Sequence, residues 1–253
     1  MMHVFKDDCM KKFLIILLAV VVIGYLIFSA SYFRDSSRER ICEHFEVVIK
    51  DSSRTRFVET QDVVDLVKSV DLYPVGRKFG EINTLAIRDT ILTNRLVESA
   101  EVFTTAGGSI VASIRQREPV LRVISDVKGN FYVDKDRRIM PLSSNFAVYV
   151  PVATGLIDEE FAQNELYDFA MFLRNHRDWD AWIEQIVVQK QNDVVLIPRA
   201  GDFRIILGSL DDYPAKLAKF VLFVEEGLNV VGWNRYSEIN LKYENQVVGT
   251  RRE

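Results

Sequence analysis

Cysteine, histidine and proline are all scarce in this chain: 2 Cys, 3 His and 6 Pro among 253 residues. So few cysteines rule out a disulfide framework, and a chain of this size can be held by its own apolar core instead. His3, His44 and His176 stand far apart, and none has a second His or Cys at ligand spacing except in Cys42-Glu43-His44, where adjacency makes shared coordination awkward. A zinc site takes about four such ligands, so no metal and no other cofactor is expected. Gly107-Gly108 and Gly201 are isolated turn glycines and do not make a phosphate-cradling loop. A basic excess is missing too, since 32 Lys and Arg face 36 Asp and Glu for a net charge of −4. That argues against a nucleic-acid stripe and against lying on an anionic lipid surface. Repeats and low-complexity tracts are absent.

Catalytic signatures are equally thin. Ser125-Asp126-Val127-Lys128 matches the S-x-x-K nucleophile motif, but the companion S-D-N and K-T-G elements are missing. Asp158-Glu159-Glu160 and Asp211-Asp212 precede helical stretches, where the helix dipole favours carboxylates. Trp179, Trp182 and Trp233 read as packing residues. The chain therefore reads as a binding protein with no catalytic role. The alternative is a cell-envelope enzyme acting on peptidoglycan through Ser125 and Lys128.

One long uncharged run stands out against these absences. Residues 13–33, FLIILLAVVVIGYLIFSASYF, hold no Asp, Glu, Lys, Arg or His. A helix crossing the hydrocarbon core needs about 20 such residues, whereas a cleavable signal has an apolar core of about 7–15. The run shows no polar stripe at helical period, which a surface helix would carry. Lys6, Lys11 and Lys12 precede it and Arg34, Arg38 and Arg40 follow it, so basic residues are near balance. Likeness to a signal anchor puts the tail inside and the remainder outside. The expected organisation is a cytoplasmic tail (1–12), a transmembrane helix (13–33) and a juxtamembrane linker (34–44). Cys9 and Cys42 then lie on opposite sides of the membrane and cannot pair; Cys42 reads as an incidental or structural thiol.

Two units follow. In residues 45–120 the pattern is strand, helix, helix, strand, strand. Phe45-Glu46-Val47-Val48-Ile49 is the first strand, and Thr60 caps a helix with Val63, Val64 and Val67 on one face. Asn83 caps a second helix with Ala86, Ile87, Thr90 and Ile91 inward, and a hairpin turns at Gly107-Gly108. Residues 121–250 alternate as strands, interrupted by a helix from Glu160 to Asn175 and a later one begun by Asp212 and Pro214 and ended by Gly227. The closing stretch Glu238–Glu244 alternates, with Ile239, Leu241 and Tyr243 on one face. The expected fold class is α+β: the β-α-α-β-β unit, then a mainly antiparallel β domain with flanking helices.

This organisation resembles the FtsQ/DivIB family of bitopic bacterial cell-division proteins. The first unit is similar to a POTRA domain. Arg115-Gln116-Arg117-Glu118-Pro119-Val120-Leu121 resembles the family's junction into its β domain, and Gly129-Asn130-Phe131-Tyr132-Val133-Asp134 resembles the hairpin that follows. Leu207-Gly208 with Asp212, then Lys216-Leu217-Ala218-Lys219-Phe220, is similar to the family's strand-to-helix segment. Ile239-Asn240-Leu241-Lys242-Tyr243 with Gly249 resembles its final strand. The family often places a glycine two or three residues after the hairpin Asp; here Asp134 is followed by Lys135-Asp136-Arg137-Arg138. The resemblance implies a non-catalytic divisome scaffold at the septum of the inner membrane. Its implied partners are single-span proteins of the FtsB (DivIC) and FtsL types and upstream components of the FtsK type. The final strand is expected to be an edge strand, with Asn240, Leu241, Lys242, Tyr243, Glu244, Asn245 and Gly249 as the partner-binding positions.

Overall fold

The computed structural model describes residues 16–29, 38–51, 55–190 and 193–252. The chain clusters into two compact units, the first comprising 1–48, 60–92 and 100–114 and the second 49–59, 93–99 and 115–253.

Residues 16–29 form a helix, α1, whose apolar side chains are exposed. No helix among the described residues is long and apolar enough to cross a membrane. The flanking residues 13–15 and 30–33 of the expected span, and the whole expected tail, lie outside the described residues.

In the first unit, α2 (Thr60–Ser69) and α3 (Thr84–Leu92) accompany a three-stranded sheet of β1 (His44–Ile49), β2 (Val97–Thr104) and β3 (Ser109–Gln116), ordered β1-β3-β2. The valine spacing of α2 buries Val63 and Val67, and α3 buries Ile87 and Ile91. Asn83 Oδ1 accepts the Ala86 amide at 3.0 Å, as the capping pattern requires. Residues 40–44, expected as linker, are tied into this unit. The Cys42 amide donates to the Arg77 carbonyl, and the Cys42 carbonyl accepts from Gly76, both at 2.9 Å. Cys42 itself is fully buried.

The second unit is built on a nine-stranded mixed sheet. Its strands are β4 (Pro119–Ser125), β5 (Gly129–Asp134), β6 (Ile139–Pro141), β7 (Val152–Gly155), β8 (Ile183–Val188), β9 (Val194–Pro198), β10 (Arg204–Gly208), β11 (Tyr236–Asn240) and β12 (Val248–Arg251). Their order is β12-β11-β10-β9-β8-β7-β4-β5-β6. Antiparallel pairing prevails, but β4–β7, β7–β8 and β10–β11 are parallel. Parallel neighbours need crossovers, usually helical. The β7–β8 crossover carries α4 (Glu159–Gln163), α5 (Glu165–Asn175) and α6 (Arg177–Trp182), and α7 (Tyr213–Phe223) lies on the β10–β11 crossover. One core joins Leu121, Val123, Ala153, Ile186, Leu196, Ile205, Ile239 and Leu241 of the sheet to Phe161, Leu166, Phe169, Leu217 and Phe220 of the helices. Each such side chain contributes about 1.5–3 kcal/mol. The three tryptophans pack against this core, with Trp182 and Trp233 ring centroids 5.6 Å apart.

Gly155 is the glycine this sheet cannot replace. Its φ is +107°, and a Cβ would sit 2.2 Å from the Val188 carbonyl oxygen, which accepts the Leu156 amide at 2.9 Å.

Two expected helices need revision, and one turn departs from the family's pattern. The helix expected over Glu160–Asn175 is two helices broken at Asn164, whose backbone (φ −112°, ψ −96°) is not helical. Arg137 fixes that break. Its Nη1 donates to the carbonyls of Gln163 (3.0 Å) and Asn164 (3.3 Å), and its own carbonyl accepts Gln163 Nε2 at 2.6 Å. Nor does Gly227 end the last helix. The chain continues through a π-helical turn, Val224–Leu228, into α8 (Asn229–Val231) and stops at Gly232. Val224 and Leu228 are both buried, and their burial outweighs the ~1 kcal/mol helical penalty of glycine. Lastly, the turn after Asp134 closes without the family's glycine. Arg137 takes the left-handed conformation itself, at φ +60°. Asp134 Oδ1 accepts the amides of Asp136 (2.9 Å) and Arg138 (2.7 Å), and Asp134 Oδ2 pairs with Arg117 at 2.6 Å.

Candidate functional site: the C-terminal sheet edge

The expected edge strand is not the edge. Alternation predicted a strand over residues 238–244. The observed β11 ends at Asn240 and is paired on both sides, parallel to β10 and antiparallel to β12. Among the described residues the edge is β12, which pairs only with β11. Leu241 still extends the β10 ladder, its amide donating to the Ile206 carbonyl at 2.9 Å. The chain then leaves the sheet in an exposed turn, residues 242–246, and returns as β12.

Lys219 on α7 holds that turn. Its ammonium donates to the carbonyls of Leu241 and Glu244, both at 3.2 Å, and also to that of Tyr243. These are charge-assisted bonds to groups that would otherwise face solvent. Lys242 Nζ pairs with Asp193 at 2.7 Å, and its amide donates to Asn240 Oδ1 at 3.0 Å. Lys216 also lies on α7. Burial pushes its ammonium pKa down, and the charges of Lys219 and Lys242 push it the same way, against Asp211 and Asp212. Lys216, Lys219 and Lys242 thus lie close together at this turn, with Asp193, Asp211 and Asp212 beside them.

The predicted positions separate into distinct roles. Leu241 is fully buried in the core, so its side chain is no contact residue. Asn240 is partly buried and caps the turn. Lys242, Glu244 and Asn245 are exposed. Tyr243 shares parity with Ile239 and Leu241 in sequence, yet it is 50% exposed, because the strand has ended before it. Gly249 lies on β12, where a Cβ would come within 2.6 Å of the Tyr236 ring; Tyr236 in turn packs on Phe223 at 5.6 Å between centroids. Glycine is what lets β12 approach β11 here.

Sequence reasoning missed β12 and the Lys219 clamp. Four residues reading Val-Gly-Thr-Arg carry no usable period, and a lysine on an amphipathic helix has no signature of a backbone partner 22 residues on.

Ser125 does not support acyl transfer. Its hydroxyl donates to the Ile157 carbonyl at 2.5 Å and accepts the amides of Val127 (3.2 Å) and Lys128 (3.0 Å). It closes the β4–β5 turn and is no free nucleophile.

A POTRA-like unit ahead of a mixed nine-stranded sheet defines the class: a two-unit α+β protein. Residues 40–115 match the model of the POTRA-like domain. Residues 118–250, more than half of the chain, match the family described as FtsQ/DivIB, C-terminal related. The chain belongs to the FtsQ/DivIB family. No curated protein matches it significantly.

Proposed function

We propose that this chain is a non-catalytic cell-division scaffold that receives a β-strand of a partner along β12. Family membership supports the cell-division role. One observation carries the mode of binding: among the described residues β12 has a neighbour on one side only, and exposed Val248 and Tyr243 lie on it and in the turn before it. Unpaired backbone groups on a sheet edge favour strand addition. Lys216, Lys219 and Lys242 lie close together at the turn before β12, Lys242 paired with Asp193, and favour a partner segment with acidic residues there. Asn240, Lys242, Tyr243, Glu244, Asn245 and Gly249 contribute as the turn and strand that shape this edge, and Leu241 contributes by anchoring them to the core. The partners are membrane proteins of the FtsB/DivIC, FtsL and FtsK types, met at the septum.

Residues 13–33 serve as the single span in this reading, with the tail cytoplasmic and the two units extracytoplasmic. The exposed apolar helix at 16–29 supports it. Its 14 residues reach about 21 Å, so the flanking apolar residues are needed to cover a core of about 30 Å.

The test is capture of an FtsB-type ectodomain. Arg251→Pro removes an outward-facing backbone donor from β12, since Thr250 and Arg252 turn theirs toward β11, and is expected to abolish capture while the melting temperature is kept. Tyr243→Ala is expected to weaken it about tenfold, the equivalent of about 1.4 kcal/mol. Undiminished capture by folded Arg251→Pro overturns the strand-addition mode. A fluorescent fusion spread evenly over the envelope during constriction overturns the division role.

A further inference from the structure

A second strand-like edge lies elsewhere on the second unit. Residues 146–150, between β6 and β7, have the burial alternation of a strand: Phe146 and Val148 are partly buried, Ala147 and Tyr149 exposed, Val150 buried. Yet the segment pairs with nothing. It belongs to no sheet, and none of its backbone groups makes a backbone hydrogen bond among the described residues. Backbone donors and acceptors in this state are a template for an added strand.

A hollow of about 230 Å³ opens beside the segment. Its apolar wall includes Val150, Leu173, Ile183 and Ile186, all at least nine-tenths buried. One of its polar groups is left unsatisfied among the described residues. Arg122 Nε is buried with no hydrogen-bond partner among the described residues, and no ion pair joins Arg122 to Asp180 or Glu184, which line the same hollow. Arg199 is engaged, donating to the Tyr149 hydroxyl at 2.6 Å, and this holds the exposed Tyr149 ring at the rim. A buried Nε–H without an acceptor is costly, and on this partly buried residue the forked donors of the guanidinium match a carboxylate.

We infer that residues 146–150 form a second strand-pairing edge whose occupant is an extended polypeptide segment of alternating apolar and charged residues. A carboxylate of the occupant sits on Arg122, a basic side chain faces Asp180 and Glu184, and apolar side chains enter the hollow. The inference stands apart from the β12 reading, because it uses a different backbone segment and different charges.

The probe is a fluorescein-labelled peptide, KVEVKVEVK, titrated against the full chain in detergent and followed by anisotropy and amide exchange. Saturable binding is expected, with slowed exchange at Ala147–Val150. The counterpart KVQVKVQVK, which lacks carboxylates, is expected to bind about tenfold more weakly. Arg122→Gln is expected to give the same loss with no fall in melting temperature, whereas a purely structural arginine would lower it. Arg251→Pro is expected to leave binding intact, which keeps this edge distinguishable from β12. Absence of binding, equal affinity for both peptides, or protection confined to residues 248–251 would overturn the inference. Should Arg122→Gln fail to fold, the two-peptide comparison on the unaltered chain decides alone.

Discussion

The two ends of the nine-stranded sheet are finished in opposite ways. At one end β6 is only Ile139–Pro141. Its proline has no amide to offer, and Arg95 donates to the Ile139 carbonyl at 3.3 Å. Both features blunt an edge against pairing. At the other end β12 has no proline, its side chains are mostly exposed, and Gly249 fits against the Tyr236 ring. The same sheet thus closes one border and leaves the other available. An edge is a hazard that proteins normally suppress, so an unsuppressed one beside a blunted one points to use.

The largest effect that would break this contrast is at Leu241. It is fully buried and joins β10, β11 and the turn before β12. Leu241→Ala is expected to cost about 2–5 kcal/mol in denaturant unfolding and to speed amide exchange along β12. If exchange at β12 were unchanged, the edge would not depend on that anchor.

Gly249→Ala is a smaller change and a sharper one. The new methyl must displace the Tyr236 ring, at an expected cost of about 1–3 kcal/mol. The prediction is loss of β12 protection with the β6 side of the sheet unaffected. A variant with unaltered exchange and unfolding would show that β12 does not need the close approach.

The smallest effect concerns the β6 border. The Tyr167 hydroxyl donates to the Lys135 carbonyl at 2.8 Å in the turn leading to β6, and burial pushes its pKa up, with Arg137 opposing. A raised folded-state value means that this contribution is fully present below the unfolded value of about 10 and is lost as pH rises through the folded value. Tyr167→Phe is expected to cost about 0.5–1.5 kcal/mol at neutral pH and to flatten the alkaline fall in stability. An unchanged alkaline limb in pH-dependent melting would remove Tyr167 as its source.

Much of the fold was legible from short-range pattern. The valines of α2, the Asn83 cap, the β2–β3 hairpin and the apolar stripe of α7 are all local, and each produced the element it predicted. The misreadings share one cause, which is that a distant group overrode the local signal. Arg137 reaches 26 residues ahead to split a helix, and burial of Leu228 carries the last helix past a glycine. Parity assigned Tyr243 to the face of Leu241, but Lys219 draws the chain out of the sheet between them.

The sequence by itself determined the apolar run at 13–33, the scarcity of metal ligands and the α+β alternation, because composition and period are properties of neighbours along the chain. It also carried enough ordered motifs to resemble the FtsQ/DivIB family. Only the tertiary structure decided which strand is the border of the sheet. An edge is defined by the absence of a neighbour in space, and no local pattern of side chains encodes where pairing stops.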